Sequence, residues 1–312
     1  MSKNKVLQTK FKANFLLPKY WPTWIAVCLL WLISWLPYKF QLALGRVVGR
    51  LLMKIGGTRL KVAKKNIDTC FPELSEQERF DMLKKNFENT GIALFETGMG
   101  WWWPDWRMKR KIHVQGLEHV EKAKADGSGL LILAYHNMCL EVCARAIGHF
   151  HQTVVFYRPN HNELMEYFQH KGRARSNKFM LDKSDVKGMI SALRQGESCV
   201  YLPDQDYGRK RSIFVPFFNQ PEVASTIGTM IFAKRKNVKT LMIVPRRLAD
   251  DSGYMIEFSE VFENFPSGDD EQDIIRVNQE LEQRIRQHPE QFMWLHRRFK
   301  TRPNPDDPKF YS

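Results

Sequence analysis

Gly129-Leu-Leu-Ile-Leu-Ala-Tyr-His136-Asn-Met-Cys-Leu-Glu141 decides how the chain is read. Gly129 to Tyr135 is a continuous apolar run preceded by the turn residues Asp126-Gly-Ser-Gly129, which predicts a buried strand over 129–135. A helix is expected over 139–149. His136 then falls at the carboxyl end of the strand, the rim where open α/β sheets place their chemistry. Glu141 falls in the first turn of the helix. Five residues along one regular helix separate two side chains by about 140°, so the pair can meet only if His136 occupies the preceding loop. In that arrangement His136 is a general base and Glu141 the carboxylate that holds its second ring nitrogen.

Outward from this stretch, strand patterns fall near 112–115, 153–157, 198–202, 213–217, 240–245 and 253–259. Helical patterns fall near 117–126, 162–172, 185–195, 225–237 and 271–287. Such alternation means a mixed, largely parallel sheet flanked by helices. Upstream, Ser75 and Glu78 form a capping box that opens a long helix reaching about Met99. No internal repeat is visible.

The amino-terminal part reads differently. Tyr20 to Tyr38 carries no charge, its apolar core runs from Trp24 to Leu36, and tryptophan and tyrosine flank it. The core is short for a bilayer span, which needs about 20 residues, yet the aromatic ends suit interfacial anchors. Over 40–55 the basic residues Arg46, Arg50 and Lys54 recur every fourth position, the pattern of a helix lying on an anionic membrane face. Residues 1–56 are therefore expected to be a membrane-anchoring, transmembrane or interfacial unit and 57–312 the catalytic domain. Trp101, Trp102, Trp103 and Trp106 beside Arg107, Lys109, Arg110 and Lys111 fit either a membrane interface or a core with a solvated basic turn.

The 312 residues carry a net charge of +14, which calls for anionic partners. Nucleic acid is one class, and the uncharged tryptophan-rich segment argues against it. Five scattered cysteines make no disulfide framework. Cys139 and Cys143 sit four apart near His136, and without a second ligand pair they read as small core residues. The chain has no G-x-S-x-G elbow, H-E-x-x-H, P-loop or G-x-G-x-x-G, so neither a metal nor a nucleotide cofactor is expected.

Other polar groups follow predicted strands. Arg158, after 153–157, suits a phosphate or carboxylate gripped through paired hydrogen bonds. Arg175, Asn177 and Lys178 add donors in one loop. Asp204, Asp206 and Tyr207 follow 198–202, and the two carboxylates fit substrate orientation, an ion pair with Arg158, a metal, or, more simply, capping. Arg246 follows 240–245, and His296 and Arg297 open a run rich in cations near the end of the chain. All ten are candidate substrate-binding residues.

Seven stretches carry a wider likeness: Tyr20-Trp-Pro-Thr-Trp, Cys70-Phe-Pro-Glu-Leu-Ser-Glu-Gln-Glu-Arg79, Phe95-Glu-Thr-Gly98, Tyr157-Arg-Pro-Asn160, Arg175-Ser-Asn-Lys178, Asp204-Gln-Asp-Tyr-Gly208 and Met293-Trp-Leu-His-Arg-Arg-Phe-Lys-Thr-Arg-Pro303. From Pro18 to Pro303 the chain resembles the late acyltransferases of lipid A biosynthesis, closer to the lauroyl than to the myristoyl type. These belong to the wider glycerolipid acyltransferases with H-x4-D or H-x4-E, here His136 and Glu141. Residues 137–140 depart from the Phe-Leu-Thr-Leu pattern expected there. The resemblance implies transfer of a fatty acyl chain from acyl carrier protein to a 3-hydroxyl of Kdo-bearing lipid IV-A. It places this on the cytoplasmic face of the bacterial inner membrane. His136 is then expected to take the hydroxyl proton with Glu141 fixing its tautomer, and Arg158 to hold the acceptor phosphate or the oxyanion.

Overall fold

The computed structural model describes residues 6–311; Met1–Lys5 and Ser312, part of the two units expected from the sequence, lie outside them. Among the described residues the strands are Ile112–Gln115 (β1), Gly129–Leu133 (β2), Val154–Tyr157 (β3), Phe179–Asp182 (β4), Ser198–Tyr201 (β5), Ser212–Phe217 (β6), Gln220–Thr226 (β7), Val238–Arg247 (β8) and Tyr254–Phe258 (β9). The α-helices are Trp21–Ser34 (α1), Tyr38–Ile55 (α2), Thr58–Cys70 (α3), Glu76–Trp102 (α4), Asp105–Lys109 (α5), Leu117–Lys124 (α6), Leu140–Phe150 (α7), Glu163–Ala174 (α8), Val186–Arg194 (α9), Gly228–Ala233 (α10) and Asp270–Gln287 (α11).

Seven strands form one sheet in the order β1-β9-β8-β2-β5-β3-β4, parallel except for the β8–β9 pair. β6 and β7 pair antiparallel as a separate ribbon. The mixed, largely parallel sheet expected from the alternation is present. Every residue of β2 is buried because both faces are covered. Leu131 and Leu133 pack with α3, α9 and α11 on one side. Leu130 and Ile132 pack with α2, α7 and the carboxyl half of α4 on the other.

Local chemistry fixes the helix ends. Ser75 caps α4 through the expected reciprocal box: its Oγ accepts from the Glu78 N–H at 3.3 Å and its own N–H donates to Glu78 Oε2 at 2.8 Å. Asp269 caps α11, accepting from the N–H groups of Glu271 and Gln272. Acids crowd that helix's first turn and Arg284 and Arg286 its last, each matching the helix dipole.

The amino-terminal expectation needs correction. No helix among the described residues is long and apolar enough to cross a membrane. The uncharged stretch expected to anchor the chain folds as the 14-residue α1, about 21 Å long at 1.5 Å per residue, against about 30 Å of hydrocarbon. The basic stripe is not free either. Arg46 pairs with Asp251 at 2.6 Å and Arg50 with Glu88 at 2.6 Å, so two of its three cations bind the rest of the chain. Phe40, Val47, Leu51 and Ile55 of α2 are exposed as well, beside Arg50 and Lys54. Trp101 and Trp103 are core residues, while Trp106 is exposed.

α2 lies directly on α4. A Cβ added at Gly49 would sit 2.1 Å from the Phe87 carbonyl oxygen, and one at Gly91 2.1 Å from that of Gly45. Both glycines are required because the two backbones touch.

Candidate active site

Registry explains what faces His136. β2 and β5 are adjacent and parallel, with Leu133 opposite Tyr201. His136 and Asp204 each lie three residues past that pair, so the two loops leave the sheet side by side. His136 Nδ1 is 2.7 Å from Asp204 Oδ1, and the His136 backbone N–H donates to Oδ2 at 2.9 Å. Asp204 is buried. Burial pushes its carboxyl up, but the charge and two hydrogen bonds of His136 outweigh it and leave the group below its ordinary value. An ionised Asp204 can only accept, so Nδ1 carries the proton and Nε2 presents its lone pair. Nε2 has no hydrogen bond among the described residues, and the His136 side chain is 21 % exposed.

This corrects the expected role of Glu141. It does fall in the first turn of α7, but its carboxylate pairs with Arg173 of α8 and accepts from the Trp101 indole at 3.2 Å. Burial raises the Glu141 carboxyl, and Arg173 more than offsets that, leaving it below the usual range. Glu141 therefore anchors the start of α7 to α4 and α8, while the imidazole is held by Asp204.

The loop carrying His136 is clamped from several sides. Asn137, fully buried, donates through Nδ2 to the Pro245 carbonyl at 2.9 Å and accepts through Oδ1 from the Cys139 N–H at 3.0 Å. Backbone bonds join the loop to the chain after α11: Met138 N–H to Gln291 O at 2.8 Å and Met293 N–H to His136 O at 3.0 Å. These side chains meet in a crevice too tight to admit a water molecule, lined by His136, Asp204, Gln205, Asn66, Phe292, Met293, His296 and Arg298. Burial lowers the His296 imidazole below its ordinary value, and its Nε2 accepts from the Asp206 N–H at 3.4 Å.

The other candidates divide by position. Asp206 accepts from the Thr301 N–H and hydroxyl at 2.7 and 2.8 Å, tying the β5 loop to the chain just past Arg298. Tyr207 is exposed and donates to the Leu202 carbonyl. Arg158 is exposed at the carboxyl end of β3, one strand beyond β5, and its Nη2 lies 2.6 Å from His161 Nε2. Arg297 is exposed, and its neighbour Arg298 forms the cleft wall.

Four candidates serve the scaffold. β4, unread in the sequence, starts beside the start of β3, and the Lys178 N–H bonds the Thr153 carbonyl there. That puts Asn177 and Lys178 at the amino rim of the sheet, opposite His136. Lys178 pairs with Glu197, Asn177 donates to the Arg173 carbonyl, and Arg175 donates to the Trp101 carbonyl. Arg246 lies inside β8, which outruns the expected strand, and pairs with Glu257 of β9 at 3.0 Å. Cys139 and Cys143 are buried and free with sulfurs 3.4 Å apart. Among the described residues no cluster of three His, Cys, Asp or Glu side chains could hold a metal ion.

Comparison with known proteins places the chain in a family. Residues 8–301 match the family described as bacterial lipid A biosynthesis acyltransferase. The chain is 44 % identical to the lipid A biosynthesis lauroyltransferase of Escherichia coli, over 94 % of this chain and 96 % of that one. It is 40 % identical to the palmitoleoyltransferase of the same organism, over 95 % and 96 %. Against its myristoyltransferase identity falls to 26 %, over 94 % and 91 %. The chain belongs to the bacterial lipid A biosynthesis acyltransferase family.

Proposed function

We propose that the protein moves a lauroyl or similar fatty acyl chain from acyl carrier protein to a 3-hydroxyl of a hydroxyacyl chain on Kdo-bearing lipid IV-A. His136 acts as base: Nε2 takes the hydroxyl proton as the oxygen attacks the thioester carbonyl, then returns it to the leaving thiolate. Asp204 holds the reactive tautomer and stabilises the imidazolium. Base catalysis of this kind contributes about 10²–10⁴-fold; holding donor and acceptor together supplies more. The observation that carries the reading is the His136–Asp204 pair at the carboxyl rim of the sheet, in a member of this family. Donor identity and chain length lean on the relatives' names and on the resemblance.

Membrane association belongs to the same reading, at the cytoplasmic face of the inner membrane and without a span. Trp21, Ile25, Leu29 and Leu32 of α1 and Val47, Leu51 and Ile55 of α2 are large, apolar and exposed, which supports helices lying in the interface.

Purified protein with lauroyl-, myristoyl- and palmitoleoyl-acyl carrier protein and Kdo-bearing lipid IV-A tests the proposal. A mass gain of one acyl chain on the acceptor, lost in His136→Ala, is the expected result. Release of free fatty acid at the same rate with or without acceptor would overturn it in favour of a hydrolase.

A further inference from the structure

Arg298 stands out in the cleft. It is 2 % exposed. Nη1 donates to the Ala224 carbonyl at 2.6 Å, Nη2 to Ser225 Oγ at 3.1 Å, and the guanidinium stacks 4.8 Å from the Phe217 ring. Nε is buried with no acceptor. Among the buried side-chain nitrogens left in that state in the described residues, it is the one that belongs to a wall residue of the His136 cleft. Among the described residues no carboxylate lies within ion-pair distance: Asp204 is committed to His136, and Asp206 to Thr301 and Gly208.

A buried donor without an acceptor costs free energy and calls for an explanation. The cleft supplies one. It is lined by the base as well as by Arg298, it is too tight to hold a water molecule, and Phe292 and Met293 make part of it apolar. A space that tight excludes a sugar phosphate and favours contact with a single oxygen atom. One free N–H suits one oxygen, where a phosphate would call for a paired fork.

We propose that Arg298 is a catalytic residue whose Nε–H donates to the acyl carbonyl oxygen and stabilises the charge that develops there. The inference rests on the acyl-transfer reading above. The acceptor oxygen forms a bond to the carbonyl carbon and gives its proton to His136 Nε2. The carbonyl π pair moves to the oxygen facing Arg298. As the tetrahedral species collapses, the C–S bond breaks and the thiolate takes the proton back from His136, so no further reactant is needed. A fixed donor aimed at a developing oxyanion in a water-poor site is worth about 10²–10³-fold in kcat.

Arg298→Lys keeps the charge and loses Nε, and Arg298→Ala removes both. Full-length protein, wild-type and variant, is assayed with acyl carrier protein thioester and lipid acceptor. The expected result is kcat lower by about 10²–10³-fold, both KM values within about threefold of wild type, and partial recovery of Arg298→Ala by guanidinium chloride but not ammonium chloride. A folded Arg298→Lys with wild-type kcat overturns the proposal, as does a raised acceptor KM at unchanged kcat, which assigns Arg298 to a ground-state anion. Should both variants melt early, wild-type protein labelled with ¹⁵N-arginine decides. A fatty trifluoromethyl ketone, which presents an oxyanion, should move one protected Nε–H resonance downfield, and no movement overturns the proposal. Absence of transfer by the wild type itself would instead reject the underlying function.

Discussion

Asp204 accepts from both ends of His136, the ring Nδ1–H at 2.7 Å and the backbone N–H at 2.9 Å. The carboxylate thus fixes the imidazole's tautomer and the loop that carries it. Asp204→Asn keeps one acceptor for the backbone N–H but offers the ring an amide. The wrong tautomer then points its lone pair away from the cleft. We expect kcat to fall by about 10³–10⁴-fold, as loss of a triad carboxylate does. Steady-state rates against pH for wild type and variant check this, and a decrease under tenfold would contradict it.

Glu141 makes a contrasting prediction. With Arg173 it forms a mostly buried ion pair, and breaking such a pair by removing one partner costs about 3–5 kcal/mol because the other charge is stranded. Glu141→Gln and Arg173→Gln should each lower the denaturation midpoint, and the double variant should lose less than the sum of the two. Because Glu141 does not touch the imidazole, Glu141→Gln should leave the acid limb of the pH–rate profile in place, where Asp204→Asn displaces it.

These two carboxylates also show what the sequence made legible. The strand, the rim histidine and the helix after it were readable from hydrophobic runs and turn residues. The partner of His136 was not, because Glu141 is near in sequence whereas Asp204 is brought there by strand order. A usable signal existed: His136 and Asp204 stand at the same offset from the ends of two strands, and only the β2–β5 adjacency gives it meaning. Asn177 and Lys178 failed for a related reason. The strand Phe179–Asp182 is four residues long and borders charged residues, so no run announced it, and missing it hid the return of the chain to the opposite rim. Arg298 beside Arg297 could not be told apart by composition; burial alone separates them.

Four histidines set the pH dependence of stability. His149, His151, His288 and His296 all lie below their ordinary value of 6.5, burial being the largest cause in each. Below pH 6.5 the unfolded chain takes up protons that the folded protein refuses, so stability is full above that pH and is lost as pH falls toward the folded values. Melting temperature should therefore drop steadily from pH 7.5 to pH 5.5. His151→Gln, which keeps a polar partner for Ser198 Oγ, should make that drop shallower. Asp204 and Glu141, both lowered, add a second loss only at more acid pH.

The α2–α4 contact is the tightest test of packing. Gly49→Ala puts a methyl group 2.1 Å from a main-chain oxygen, which no side-chain rotation relieves, so the helices must separate. Overpacking of this kind costs about 1–3 kcal/mol or more. Since α2 also packs through Tyr38 and Leu42 on the sheet, the variant should melt cooperatively at lower temperature. An unchanged midpoint would mean that the two helices lie farther apart in solution.

The exposed faces of α1 and α2 make the last prediction. Leu29 and Leu51 are 53 % and 52 % exposed, so replacing either by glutamate removes little folded-state packing and the melt should stay near wild type. In contact with a bilayer each would bury its side chain, a gain of about 1.5–3 kcal/mol, or roughly 10–100-fold in partition. Flotation with anionic phospholipid vesicles should thus fall by that factor for Leu29→Glu and for Leu51→Glu, and further for the pair. High salt should weaken wild-type binding only in part, because exposed apolar side chains rather than the paired Arg46 and Arg50 hold the helices there. Loss of binding in salt with no effect of the glutamates would instead assign the contact to charge.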